Sequence, residues 1–291
     1  MRTVLIDNGY EVRCLDIKNP SLEGDHPISV TDESALTKLV EDYMPAVVFH
    51  LAALHFIPYC IEHPVETLET NVEGSLNLFN ACLRLNKKPL VIYASSAAVY
   101  KPSGASHTET DELGAIDIYG ESKIIIEKLS RHFINQTDLP IVGVRFSNVY
   151  GPGDNIDHVI PAIMTQIVSG QKKIILGNTT TFRDFVHVSD VVAALFEILK
   201  KGKRGDIYNV STGEGMSINN LILMIINIYE KLTGTKILSA SDSGLIRKND
   251  REKLILSNRL MQKDYSWNPK VTIENGITDL LNTAIRSKKH K

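Results

Sequence analysis

Cysteine is scarce in this chain and follows no pattern. The three residues, Cys14, Cys60 and Cys82, are odd in number and include no CxxC pair. Neither a disulfide framework nor a zinc site is suggested, and a reducing cytoplasm is the simplest compartment. An excess of one charge is missing too: 32 Lys and Arg stand against 34 Asp and Glu, a formal net charge of -2. That balance gives no electrostatic reason to expect nucleic acid or an anionic membrane as partner. The Lys288-Lys289-His290-Lys291 end is too short to change this and reads as a solvated terminus. Long hydrophobic runs are absent, and the opening MRTVLIDNGYEV carries charges too early for the apolar stretch of a signal peptide. There is no internal repeat and no low-complexity segment. What remains is a globular composition, 43% hydrophobic and 23% charged over 291 residues. That suits one large α/β domain, or a large domain with a smaller lobe.

Short runs of Val, Ile and Leu read as strands of a parallel sheet covered by helices on both faces. They are Glu11–Ile17, Ala46–Leu51, Pro89–Tyr93, Ile141–Phe146 and Lys173–Leu176. Helical patterns lie between and after them at Asp32–Tyr43, Val65–Leu85, Gly120–Asn135 and His158–Gly170. Strand alternating with helix predicts a doubly wound α/β sheet, in which ligands sit at the carboxyl ends of the strands. After about residue 150 the alternation loosens. Ile218–Leu232 is an amphipathic helix, and Asn268-Pro269 punctuates the chain before a last helix at Ile273–Ile285. A C-terminal lobe interleaved with the sheet is expected.

Two local patterns carry chemistry. Tyr119 and Lys123 are four apart, so a helix places them on one face, where an ammonium lowers the pKa of a phenol. A lone YxxxK also occurs at solvated helix starts. Upstream, Pro89–Tyr93 runs into Ala94-Ser95-Ser96-Ala97-Ala98-Val99-Tyr100. Hydroxyls at the carboxyl end of a central strand point into the ligand crevice and can hold a substrate oxygen for proton transfer. Such a serine pair can also cap a turn.

These stretches, with Val144-Arg-Phe-Ser-Asn-Val-Tyr-Gly-Pro152, His50-Leu-Ala-Ala53, Asn71-Val-Glu-Gly74, Arg183-Asp-Phe-Val-His-Val-Ser-Asp190 and Tyr208-Asn-Val-Ser-Thr-Gly213, resemble the extended short-chain dehydrogenases that act on nucleotide sugars. They occur in the family's order over nearly the whole chain. The resemblance implies a Rossmann-type NAD-binding part over residues 1–150 and a mostly substrate-binding lobe over 151–291. It implies Tyr119 as the catalytic base, Lys123 as its partner holding the nicotinamide ribose, and Ser96 as the hydroxyl contacting the sugar. Asp16 falls where the family binds the adenosine ribose, and its carboxylate favours NAD over NADP. Ala52, Ala53 and His55 fall along the pyrophosphate and nicotinamide, with Ile17, Leu51, Asn71 and Ala94 also at the cofactor. Asn148, Arg183 and Arg247 match residues at the substrate phosphates, where guanidinium forks fit phosphate oxygens. A homodimer through the helices Val65–Leu85 and Gly120–Asn135 is implied by the same likeness.

The chain also departs from the family. The first strand and its GxxGxxG fingerprint are not in the sequence, whose opening resembles the end of the helix that follows them. Two readings stay open: a working protein longer than this chain, which retention of Tyr119, Lys123, Ser96 and Asp16 favours, or a crippled cofactor site. Ser29 stands where many relatives have an adenine-side Asp. The family's dehydratases place an Asp-Glu pair directly after the catalytic hydroxyl, and its decarboxylases a Glu nearby. Here those positions are Ala97 and Ala98. The expected reaction is 4-epimerisation of a UDP-hexose through a 4-keto intermediate. A 4-keto-sugar reductase and a non-catalytic nucleotide-sugar-binding relative remain as alternatives. Leu254 lies near the family's sugar-size gate.

Overall fold

A computed structural model describes residues 1–17, 26–154, 158–202, 205–245 and 250–289. In chain order the elements begin with α1 (Arg2–Asp7), α2 (Glu33–Tyr43), β1 (Val47–His50), α3 (Ile57–Glu62), α4 (Pro64–Leu68) and α5 (Gly74–Arg84). Then come β2 (Leu90–Ser96), α6 (Ile118–Gln136), β3 (Ile141–Phe146), β4 (Asn148–Tyr150), α7 (Val159–Val168) and β5 (Lys173–Leu176). The chain continues with β6 (Phe182–Arg183), β7 (Phe185–His187), α8 (Val188–Lys201), β8 (Ile207–Val210), β9 (Met216–Ser217) and α9 (Ile218–Thr233). Last are β10 (Leu238–Ser241), β11 (Lys253–Leu254), α10 (Arg259–Tyr265) and α11 (Ile273–Lys289).

These elements form two compact units, each assembled from three stretches of chain. One comprises Met1–Val99, Leu113–Arg145 and Val192–Tyr208; the other comprises Tyr100–Glu112, Phe146–Val191 and Asn209–Lys291. The first unit holds a parallel sheet in the order β1-β2-β3-β8. Its register pairs Val47 with Leu90 and His50 with Tyr93, so β1 and β2 end on the same side. The strands are short and apolar because helices cover them. Leu36 and Val40 from α2, Phe79 and Cys82 from α5 and Ile126 from α6 close over Val91, Tyr93 and Ile141. In the second unit α7, α9 and α11 pack their apolar stripes together through Ile163, Leu221, Ile225, Ile277 and Leu281.

Four expectations need correction. Glu11–Ile17 has strand composition but no ladder: among the described residues its pairing is a single bridge, Leu15 with His26. Propensity alone does not make a strand when a neighbouring row of amides is not alongside. The helix expected over Val65–Leu85 is interrupted by a π turn, Glu69–Glu73, with Pro64 opening α4 before it. Lys173–Leu176 does form a strand, but it pairs in parallel with β10 in a separate two-stranded sheet. Finally, β8 supplies the fourth strand of the main sheet. The buried Asn209 breaks its apolar run and hid it from the pattern.

Candidate active site

The site is built where β2 ends and α6 begins. Asp117, in extended conformation, caps α6 by accepting from the Gly120 backbone N–H at 2.8 Å. A Cβ on Gly120 would sit 2.7 Å from both the Ala98 carbonyl oxygen and the Ala115 methyl, so only glycine lets the helix start this close to the strand end. The Ser96 hydroxyl accepts from the Ala98 N–H at 3.1 Å, which tightens the turn Ala97–Val99. These two local arrangements bring Tyr119, in the first turn of α6, beside Ser96, whose hydroxyl acts on the phenol.

Lys123, one turn further along α6, is 3% exposed. Its Nζ donates to the Ala94 carbonyl at 2.9 Å and lies 5.8 Å from the centre of the Tyr119 ring. Burial pulls the ammonium down to about 8. The expected lowering of the phenol by its lysine does not occur. Burial pushes Tyr119 up to about 12, and the opposing influence is the Ser96 hydroxyl. The physical reason is desolvation: a phenolate at this half-buried position loses hydration, and that outweighs the help it receives from the Ser96 hydroxyl.

A parallel sheet whose strands end together beside a buried lysine and a half-buried Tyr-Ser pair is one setting for nicotinamide chemistry, and a family model decides the matter. The model of the NAD-dependent epimerase/dehydratase family matches residues 1–211. The chain belongs to that family.

The family's relatives span several reactions. The UDP-glucose 4-epimerase of Lactobacillus helveticus is 28% identical over 292 residues, covering 94% of this chain and 84% of that enzyme. The UDP-N-acetyl-alpha-D-glucosaminuronate decarboxylase of Bacillus cytotoxicus is 31% identical over 204 residues, covering 67% of this chain and 62% of its own. Among solved structures, MoeE5 in complex with UDP-glucose and NAD superposes with a TM-score of 0.87 at 27% identity, covering 98% of this chain and 94% of that one. The chemistry held in common is modification of a nucleotide sugar with NAD as cofactor.

The epimerase/dehydratase site fits that cofactor on its own geometry. Lys123 is a buried cation whose single hydrogen bond among the described residues goes to Ala94, so two N–H donors remain for a ligand hydroxyl such as a ribose. Beyond β1 the chain exposes Leu51 and Ala52, while Ala53 is half-buried and His55 exposed, leaving backbone open to a ligand at the strand ends. Asp16 and Ile17 are exposed, with the Asp16 N–H donating to the His26 carbonyl at 3.3 Å.

Asn71, expected at the cofactor, has its side chain hydrogen-bonded within the protein. In the π turn and fully buried, it accepts from the Leu54 N–H at 2.8 Å and donates to the Leu54 carbonyl and the Ser122 hydroxyl, both at 2.9 Å. Ser122 in turn donates to the Tyr119 carbonyl at 2.7 Å. Asn71 therefore ties Leu54 to the first turns of α6 that carry Tyr119, a use consistent with π turns gathering at functional places. Ser29 caps locally, its hydroxyl 2.8 Å from that of Thr31.

The expected phosphate-side residues lie in the other unit. Asn148 pairs with Phe185 in the β4–β7 ladder. Arg183 sits in β6 opposite Leu254 and donates to Asp250 at 2.5 Å and to the Phe182 carbonyl at 2.8 Å, so part of its fork is engaged within the protein. Arg247 lies outside the described residues. Sequence reading missed the supports: Asp117, which the rule of an Asp just before a helix start would have found, and Asp184. Asp184, fully buried, accepts from Thr212 and Gly213 backbone N–H groups at 3.0 Å and from the Thr212 hydroxyl at 2.7 Å. This explains the Asp in the Arg183–Asp190 motif as a structural anchor.

Proposed function

We propose that this protein is an NAD-dependent 4-epimerase of a UDP-hexose, of the UDP-glucose and UDP-galactose type. The observation that carries the reading is Ser96 beside Tyr119, with Ser96 followed in the chain by two buried alanines, Ala97 and Ala98. An elimination needs an acid and a base beside the reacting hydroxyl, and methyl groups supply neither. Transfer at a single carbon needs one proton acceptor, which Tyr119 can be.

In this reading Ser96 holds the sugar's 4-oxygen and Tyr119 exchanges the 4-hydroxyl proton at its phenolic oxygen. Lys123 would hold the nicotinamide ribose with its spare N–H groups. The exposed segment after β1 and Asp16 would carry the rest of the dinucleotide. When bound, NAD supplies the hydride acceptor and donor at carbon 4, together with positive charge that favours the phenolate. Asn148, Arg183 and Arg247 would meet the sugar-nucleotide phosphates. The same reading carries a homodimer built on α4, α5 and α6.

The test is incubation of UDP-galactose with the protein and catalytic NAD. UDP-glucose should accumulate to an equilibrium mixture without net NADH. Consumption of stoichiometric NADH on a 4-keto sugar would establish a reductase instead. Failure to bind NAD at all would support a binding protein without catalysis.

A further inference from the structure

Three consecutive residues at the end of β2 each face a different turn of the same helix. The Ala94 carbonyl accepts from Lys123, the Ser95 hydroxyl donates to Glu127 at 2.6 Å, and Ser96 meets Tyr119. Tyr119, Lys123 and Glu127 recur every four residues and share one stripe of α6. Glu127 is also held from the next strand. Arg145 of β3 donates Nε to one carboxylate oxygen at 2.8 Å and a terminal nitrogen to the other at 2.6 Å, a two-pronged pair with both side chains 3% exposed.

Such a pair is a poor way to gain stability, because desolvating two charges offsets most of their attraction and apolar side chains of like volume often do as well. What it provides is direction. A two-pronged contact has one good geometry, and sliding α6 by one residue would move it by about 1.5 Å and turn it by about 100°. That slip breaks all three contacts with β2 together.

We propose that Glu127, Arg145 and Ser95 are positioning residues that lock α6 in axial register with the end of β2, so that Tyr119 meets Ser96 and Lys123 meets Ala94. They touch neither substrate nor cofactor and act through Tyr119 and Lys123. The proposal rests on the epimerase reading for its effect on turnover, but the register itself can be read without any substrate.

The test uses protein labelled with 13C at the lysine ε carbons, with the Lys123 signal assigned by its loss in Lys123→Arg. In the wild type, burial should pull the Lys123 ammonium down to about 8. Replacing both partners, Glu127→Met with Arg145→Met, removes equal and opposite charges and fills the space with apolar side chains. The double variant should melt within about 3 °C of the wild type. Its Lys123 should nevertheless titrate at least about half a unit closer to an ordinary lysine. Its kcat on UDP-galactose should fall about tenfold or more with KM within about threefold.

Ser95→Ala, which removes only a hydroxyl, serves as the second variant should the double one fail to fold. It should shift Lys123 in the same direction, with Ser95→Thr restoring the wild-type value. A folded double variant, or a folded Ser95→Ala, with Lys123 and kcat unchanged overturns the proposal. If the wild type turns over no UDP-hexose, the lysine titration still decides the register, so the two readings fail separately.

Discussion

Tyr119 illustrates how a residue's surroundings override its reputation. A lysine four residues on implies a lowered phenol, yet that ammonium faces a carbonyl and burial pushes the phenol to about 12. In the proposed reaction, charge arriving with the cofactor would have to favour the phenolate at this oxygen. Tyr119→Phe should lower kcat by about three orders of magnitude or more while leaving UDP-sugar affinity within a few-fold, read by calorimetry beside turnover. A variant retaining full activity would remove Tyr119 from the chemistry.

Lys123 offers a test through stability. Folding holds it near 8, below the roughly 10.4 of a free lysine. Between those values the unfolded chain binds a proton that the folded one does not, so stability rises with pH across that window and the full cost is present below it. Compared with Lys123→Met, the wild type should gain about 3 kcal/mol between pH 8 and 10.5 in denaturant titrations. Parallel curves for the two proteins would show that the ammonium is solvated.

At the scale of elements, the start of α6 is the most demanding piece. Gly120 has no room for a methyl, since backbone oxygen and a neighbouring methyl already occupy its place. Gly120→Ala should cost about 2 to 4 kcal/mol or push the helix start away from β2, lowering the denaturation midpoint and kcat together. A neutral substitution would mean that the helix start yields easily.

The same elements show how far the sequence could be read. Strands β1, β2 and β3 and the helices α2, α6, α7, α9 and α11 lie within a few residues of their expected spans, because apolar period and length decide them. The Tyr119–Ser96 meeting was legible for a different reason: strand ends and helix starts meet at a doubly wound sheet's crevice. The π turn at Glu69–Glu73 was not legible. It inserts an irregularity into a sound helical pattern and is held by Asn71 bonds to Leu54 and Ser122, far away in sequence. The missing ladder at Glu11–Ile17 has the same origin, since a strand is defined by its neighbour and periodicity describes only itself.

For the molecule as a whole, sequence order and spatial grouping diverge. The expectation was a division near residue 150 with the C-terminal lobe interleaved with the sheet; the two compact units each gather three stretches of chain. No periodic signal marks such crossings, because each segment obeys local rules in either unit. Among the described residues no helix is long and apolar enough to cross a membrane. A chain of 291 residues unfolds with a large enthalpy, so one kcal/mol moves its midpoint by only about 2 °C. NAD at one hundred times its dissociation constant adds about 2.7 kcal/mol and should raise Tm by about 4 to 6 °C. NAD that leaves the melting curve unmoved would argue for a protein without its cofactor.

The sparse thiols have a practical side. Cys60 and Cys82 are sealed in the interior, while Cys14 is partly open to solvent. A maleimide dye will settle at that one place in the native protein without any engineering. Two residues from Asp16, such a dye would give an optical signal if a dinucleotide docks there as proposed.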